Sequence, residues 1–419
     1  MRLPSRALAA LLALALATSA ADASTGHRPR PFPATWAEQV IGQLPGAAFS
    51  TLGDLDGDRR PEVVATSFGK VAGFGPTGGG TVASYRQTDA GWVRSDIITP
   101  ADGIQFPNEP TLADVDGDGL SDVIEPGGFF ICTPCGSLSW WRQKPAGGWE
   151  RHDLVAAGSP AFYHRAVLVD LDGDGDRDLV TVAETAASAT TVVFPGTGHG
   201  FDTTPVLLGE GLGSLPEVVD VDHDGDLDIA SAQYFSRNGS FAWLERVATG
   251  PGAGAYGVYV KHVIAADLGG AIQLSRVPGI GWVGTNHTNT TSGPPGTATS
   301  GVYLFTPGAD PRLPWTYRMI SAGIVSRADT GAGQQQGAPG VFRWGDVDRD
   351  RDTDLIVSGD GDKHLFVIEQ TRRGEFATHA IADNHGQAGV AGMLRTPDGP
   401  GLVFSSYDAG LVSLFTSGR

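Results

Sequence analysis

DLDGDGDRDLV, residues 170–180, sets carboxylates at Asp170, Asp172, Asp174, Asp176 and Asp178 and then turns apolar. Like charges so close together repel unless a cation or a dense set of donors neutralises them. The stretch recurs as DLDGDRRPE (54–62), DVDGDGLSD (114–122), DVDHDGDLD (220–228) and DVDRDRDTD (346–354). Acids stand at positions 1, 3, 5 and 9 every time. They are Asp54, Asp56, Asp58, Glu62; Asp114, Asp116, Asp118, Asp122; Asp170, Asp172, Asp174, Asp178; Asp220, Asp222, Asp224, Asp228; and Asp346, Asp348, Asp350, Asp354.

A hard divalent cation takes roughly six to eight oxygens, which side chains at 1, 3 and 5, a carbonyl at 7 and a bidentate acid at 9 supply for Ca²⁺. Three to five structural calcium sites are therefore predicted. Glycine at position 6 permits the sharp turn, and Gly119, Gly175 and Gly225 stand there, but Arg59 and Arg351 replace it in the first and last loops. Those two sites are expected to be the weakest. An EF-hand would need an acid at position 12. Glu125 sits there in the second loop, but the others have Ala65, Thr181, Ser231 and Val357. The residues that follow (VVAT, VIE, LVTV, IASA, LIVS) favour strands, so the loops join β-strands.

First-Asp spacings are 60, 56, 50 and 126 residues, and the last gap is two periods long. A degenerate unit fits inside it at Ala271–His287, and another downstream at Gly392–Asp408, both without an acidic loop. An aromatic residue followed five positions later by an aliphatic one ends six units: Trp92/Ile97, Trp149/Leu154, Phe201/Val206, Tyr259/Ile264, Trp315/Ile320 and Phe376/Ile381. The seventh unit lacks it, but Trp36/Ile41 supplies the same pattern near the N-terminus. The reading is an all-β chain, a seven-bladed β-propeller whose last blade is closed by the N-terminal strand. Such a ring leaves only short, protected edges.

Residues 1–23 have the layout of a secretory signal peptide: Arg2 and Arg6, an apolar run over Ala7–Ala17, then Ala21-Asp22-Ala23. That run is too short to span a bilayer. Residues 24–33 read as a linker and 34–419 as the propeller. The net charge of −18 argues against a nucleic-acid partner, and no later stretch suits membrane insertion. Four lysines against 25 arginines and the short leader read as bacterial and secreted. Cys132 and Cys135, the only cysteines, read as a small disulfide in an exported protein. The acceptor sequences at Asn238, Asn286 and Asn289 matter only in a host that glycosylates them.

The D-x-D-x-D-G-x-x-D loops within β units of about 50–60 residues resemble the FG-GAP/VCBS repeat family. The resemblance covers nearly the whole of residues 34–419 and implies a calcium-binding propeller. It says little about activity, because adhesion receptors, lectins, polysaccharide lyases and a sugar dehydratase are found on similar propellers. The two units without acidic loops, Arg59 and Arg351 depart from the family pattern.

Topology predicts where a ligand sits. If the acidic loops join strands 1 and 2 on one face, the ends of strand 2 and the starts of strand 1 lie on the other. That places Phe68, Gly128, Glu184, Tyr234, His287, Asp360 and Tyr407 at the mouth of the central channel. Asn108, Glu109, Tyr163, His164, Arg165, Gln273, Gln334–Gln336 and His385 join them. As a binding site, Glu184, Tyr234, His287, Asp360 and Tyr407 hold a glycan or an extracellular protein, with the chain a monomer. As a lyase or dehydratase, His164, His287 or Tyr163 is the base and Arg165 neutralises a substrate carboxylate.

Overall fold

The computed structural model describes residues 31–69, 71–72, 75–76, 78–213, 215–235, 240–250, 254–287, 301–325, 337–397 and 399–418. The signal peptide expected at 1–23, most of the linker, Asn238, Asn289 and Gln334–Gln336 lie outside them.

Seven four-stranded antiparallel sheets follow one another along the chain. Blade 1 comprises Ala47–Gly53, Glu62–Ser67, Thr81–Thr88 and Gly91–Ile98, and blade 2 comprises Thr111–Ala113, Asp122–Gly127, Gly136–Gln143 and Trp149–Ser159. Blade 3 is Ala166–Val169, Asp178–Glu184, Ala189–Phe194 and Val206–Glu210, and blade 4 is Glu217–Val219, Asp228–Gln233, Ser240–Gly250 and Gly254–Ala265. Blade 5 is Ala271–Val277, Gly281–Asn286, Gly301–Thr306 and Thr316–Met319, and blade 6 is Phe342–Gly345, Asp354–Ser358, Leu365–Arg372 and Glu375–Ala382. Blade 7 takes Ala388–Thr396, Gly399–Ser406 and Leu411–Ser417 from the C-terminal end. Its outer strand is Trp36–Gln43, with Trp36 opposite Ser417 and Gln43 opposite Leu411. The ring closes as the aromatic–aliphatic pattern predicts.

Each second strand is sandwiched between neighbouring blades. Val64, Val82 and Ile98 of blade 1 share a core with Val123 and Trp141 of blade 2, while Val63, Ala83 and Tyr85 pack on Val403 and Leu414 of blade 7. Buried on both faces, these strands carry apolar, small and polar residues without strict alternation, and the period is blurred there for that reason.

The acid at position 9 begins the second strand in all five loops. Its side chain accepts the backbone N–H of position 2: Leu55 to Glu62 at 2.8 Å, Leu171 to Asp178 at 2.9 Å, Val347 to Asp354 at 2.9 Å. In four blades the other oxygen accepts an N–H from the third strand side, as from Gly196 to Asp178 at 2.8 Å and Gln370 to Asp354 at 2.9 Å. The residue ties loop and strands together, besides whatever it offers a cation.

Two positions of each loop are left-handed. Position 6 is so at Arg59 (φ 67°) and Arg351 (φ 82°) as well as at the glycines. Position 4, which the sequence reading did not single out, has the same requirement. Gly57, Gly117 and Gly173 meet it without strain, whereas His223 (φ 65°) and Arg349 (φ 68°) adopt it as side-chain-bearing residues. Removing one such penalty with Arg351→Gly is expected to raise stability by about 1 kcal/mol. Urea unfolding checks it, and an unchanged midpoint would mean that the turn carries no strain.

Candidate functional site

Six half-buried rings form an arc across the face opposite the acidic loops. Tyr407 of blade 7 lies 6.3 Å from Phe68 of blade 1, measured between ring centroids, and Phe68 lies 6.1 Å from Phe129 of blade 2. Phe129 contacts Phe130 at 4.7 Å, Phe130 contacts Phe235 of blade 4 at 5.2 Å, and Phe235 meets Tyr234 at 4.8 Å. Beyond Tyr234 the arc reaches the His287 imidazole at 5.5 Å, whose Nε2 is 3.5 Å from Asp360 of blade 6. Four of the five residues proposed to bind a ligand, Tyr234, His287, Asp360 and Tyr407, thus lie along one curved band. The second-strand ends put them there.

Phe129, Phe130 and Phe235 escaped the sequence reading. FFICTPC and YF were the available signals, but neither belongs to the repeat. Phe129 and Phe130 enter a short 3-10 turn, Phe130–Cys132, that the Cys132–Cys135 disulfide pins.

The floor of this mouth is ionic. Glu109 accepts from Arg165 at 3.1 Å (Nε) and 2.9 Å (NH2), and from Arg343 of blade 6 at 2.6 Å. Blades 2 and 6 stand nearly opposite in a seven-membered ring, so this contact bridges the axis. Glu217 of blade 4 faces both arginines and bonds to Ser275 and the Arg276 backbone. Burial raises the Glu109 carboxyl, but the two guanidiniums outweigh it and hold Glu109 below the usual range. Arg165, proposed as a clamp for a substrate carboxylate, already holds one from its own chain. Arg343 and Glu217 were invisible to motif reasoning because their partners are far away in sequence.

The remaining candidates divide. Tyr163 is buried in the core between blades 2 and 3. His164 stands edge-on to Phe129 at 5.7 Å and Phe162 at 5.3 Å. Burial pushes its pKa down to about 4, although Glu109 pulls it up, and Nδ1 has no hydrogen-bond partner. Glu184 is 3% exposed, its Oε2 has no partner, and burial pushes its carboxyl up to about 8. Asn108 donates to the Gly128 and Tyr163 carbonyls, and Gln273 clasps the backbone of Phe342, so both act as inter-blade ties. His385 turns away from the mouth, against Phe415 and within 3.5 Å of Glu38. Asn286 is fully buried, which leaves no room for a glycan on it.

On the opposite face, five carboxylate groups converge among the described residues: Asp54/Asp56/Asp58, Asp114/Asp116/Asp118, Asp170/Asp172/Asp178, Asp220/Asp222/Asp228 and Asp346/Asp348/Asp354. Each group offers oxygens within 4.8 Å of one another. Asp174, Asp224 and Asp350 are directed in part to local backbone, accepting from Asp176, Asp226 and Asp352 at 2.8–2.9 Å. Burial, then neighbouring carboxylates, push Asp348 up to about 6. Asp346 Oδ1 and Asp348 Oδ2 are buried without hydrogen-bond partners, which suits an oxygen set made for a cation.

Among the described residues no helix is long and apolar enough to cross a membrane. A family model for the FG-GAP-like repeat matches residues 170–231. No curated protein matches the chain. Among solved structures it is similar to a rhamnogalacturonan lyase PL11 from Bacillus licheniformis, at 13% identity over 93% of this chain and 74% of that one, TM-score 0.46. It is also similar to an aldose sugar dehydrogenase from Escherichia coli, at 11% identity over 92% and 100% of the two chains, TM-score 0.38. A glycosyl hydrolase from Bacteroides ovatus shares 10% identity over 90% and 85%, TM-score 0.38. At such values the likeness carries no argument about chemistry. The matched repeat runs from the acidic loop of blade 3 into the second strand of blade 4, and units of this kind recur around a closed ring, which supports a propeller of the FG-GAP/VCBS kind.

Proposed function

We propose that the protein is an exported propeller, braced by calcium at its acidic loops, that binds a glycan along the aromatic arc. The arc carries this reading. Half-buried rings contributed by four blades form one connected band, with polar groups at one end to orient a ligand, a combination of apolar and polar lining that small-molecule sites commonly use. The apolar faces of sugar rings stack on such rings, while His287, Asp360 and Tyr234 suit hydroxyl groups. Calcium fits the opposite face, where it would neutralise the loop carboxylates and brace the hairpins between strands 1 and 2, away from the ligand.

One observation favours a second reading. His164 is held neutral and has an unpartnered Nδ1 beside the arc, the form a proton-abstracting base needs in a lyase.

Pooled plant, algal and bacterial polysaccharides, offered to residues 24–419 with calcium, distinguish the readings by retention and by mass spectrometry of products. Retention without product, weakened about tenfold or more by Phe130→Ala, is expected. That ratio corresponds to losing about 1.4 kcal/mol of stacking. Unsaturated fragments that vanish in His164→Ala would establish the lyase instead. No retention on any polysaccharide would overturn the glycan and leave an extracellular protein as the ligand.

A further inference from the structure

The five acidic loops differ most in what faces them from the third strand of their own blade. Tyr85 pairs with Val63, Trp141 with Val123, Phe194 with Leu179, Leu244 with Ile229 and Ile368 with Leu355. The next residue along the third strand therefore occupies one equivalent place beside each loop. It is Arg86, Arg142, Pro195, Glu245 or Glu369.

The consequences are visible in the contacts. In blade 2, Arg142 ion-pairs with Asp116 and donates to Asp118 at 3.2 Å. In blade 1, Arg86 approaches Asp56 at 3.8 Å. Each of these loops has a guanidinium of its own chain in contact with one or two of its carboxylates. Blade 4 is intermediate, since Glu245 adds a carboxylate but Arg312 bridges it to Asp222 at 2.8 Å. Blade 6 has the opposite arrangement. Glu369 brings a further carboxylate, oriented by His379 at 2.6 Å, towards a loop in which Asp348 is 7% exposed. There Asp346 Oδ1 and Asp348 Oδ2 are buried with no hydrogen-bond partner, within an oxygen set no wider than 4.8 Å.

A cation and a guanidinium compete for the same oxygens, and site affinity rises with the charge the ligands supply. Buried oxygens without partners have already lost water and gain most from an ion. We propose that this third-strand position ranks the cation sites, so that the loop of blade 6 fills first while the loops of blades 1 and 2 are neutralised by their own arginines. This rests on the calcium reading above and reverses the order expected from Arg351. The left-handed arginine strains the turn, but its side chain is exposed and need not oppose the ion.

Calcium titration of residues 24–419, followed by calorimetry and native mass spectrometry, tests the ranking. Asp348→Asn is expected to remove the tightest site, and Asp116→Asn to leave it. Arg142→Gln is expected to tighten one further site about tenfold, a gain that misfolding cannot produce. Loss of the tightest site in Asp116→Asn with retention in Asp348→Asn would overturn the ranking, as would unchanged binding in Arg142→Gln. A parent chain that takes up no calcium would instead defeat the calcium reading itself.

Discussion

Glu109→Ala is expected to cost about 3–5 kcal/mol, because it strands Arg165 and Arg343 at the floor of the mouth without their shared carboxylate. The side chains are 10%, 11% and 21% exposed, so water replaces little of what is lost. Glu217 remains near both guanidiniums but is engaged by Ser275 and the Arg276 backbone. Urea unfolding at pH 7 measures the effect. A cost under about 1 kcal/mol would place these charges in the class of solvated surface pairs and remove the ionic bridge across the axis.

Glu184→Gln is expected to act through pH. Burial lifts the Glu184 carboxyl from 4.5 to about 8 in the folded chain, so the folded state keeps a proton that the unfolded state releases. The contribution of Glu184 to stability is full below pH 4.5, declines as pH rises towards 8, and is lost above it. A rise of that size corresponds to about 5 kcal/mol at full ionisation. Glutamine keeps the shape and removes the charge. The variant should match the parent at pH 4 and exceed it by several kcal/mol at pH 9. Parallel stability curves from pH 5 to 9 would show that Glu184 ionises in place without penalty.

The fold was legible because the repeat writes itself in residues that cannot drift far. Carboxylates at alternate positions mark the turn between strands 1 and 2, and Trp36/Ile41 betrays a strand borrowed from the other end of the chain. The mouth was half legible. Following each second strand to its far end located Tyr234, His287, Asp360 and Tyr407, since these strands all run from the loop face to the mouth over five to eight residues. Phe129, Phe130 and Phe235 sit in connections whose lengths differ from blade to blade, so no period points to them. The Glu109–Arg343 contact joins residues 234 positions apart, and only closure of the ring brings them together. Arg142 and Arg312 belong to no motif; strand register sets the first against the loop of blade 2, and the turn between the last two strands of blade 5 sets the second against the loop of blade 4.

Because Trp36–Gln43 completes a sheet whose other strands end at Ser417, the propeller's first strand waits for its last. Until then blade 7 has no outer strand, and the inner face of blade 1 lacks Val403 and Leu414 to cover Val63 and Ala83. A nascent or truncated chain thus carries an open seam with unpaired backbone and bare apolar surface, which invites aggregation. The seam works as a check on the ring itself: proteases and chaperones would meet either an unfinished arc or a sealed circle, with little in between.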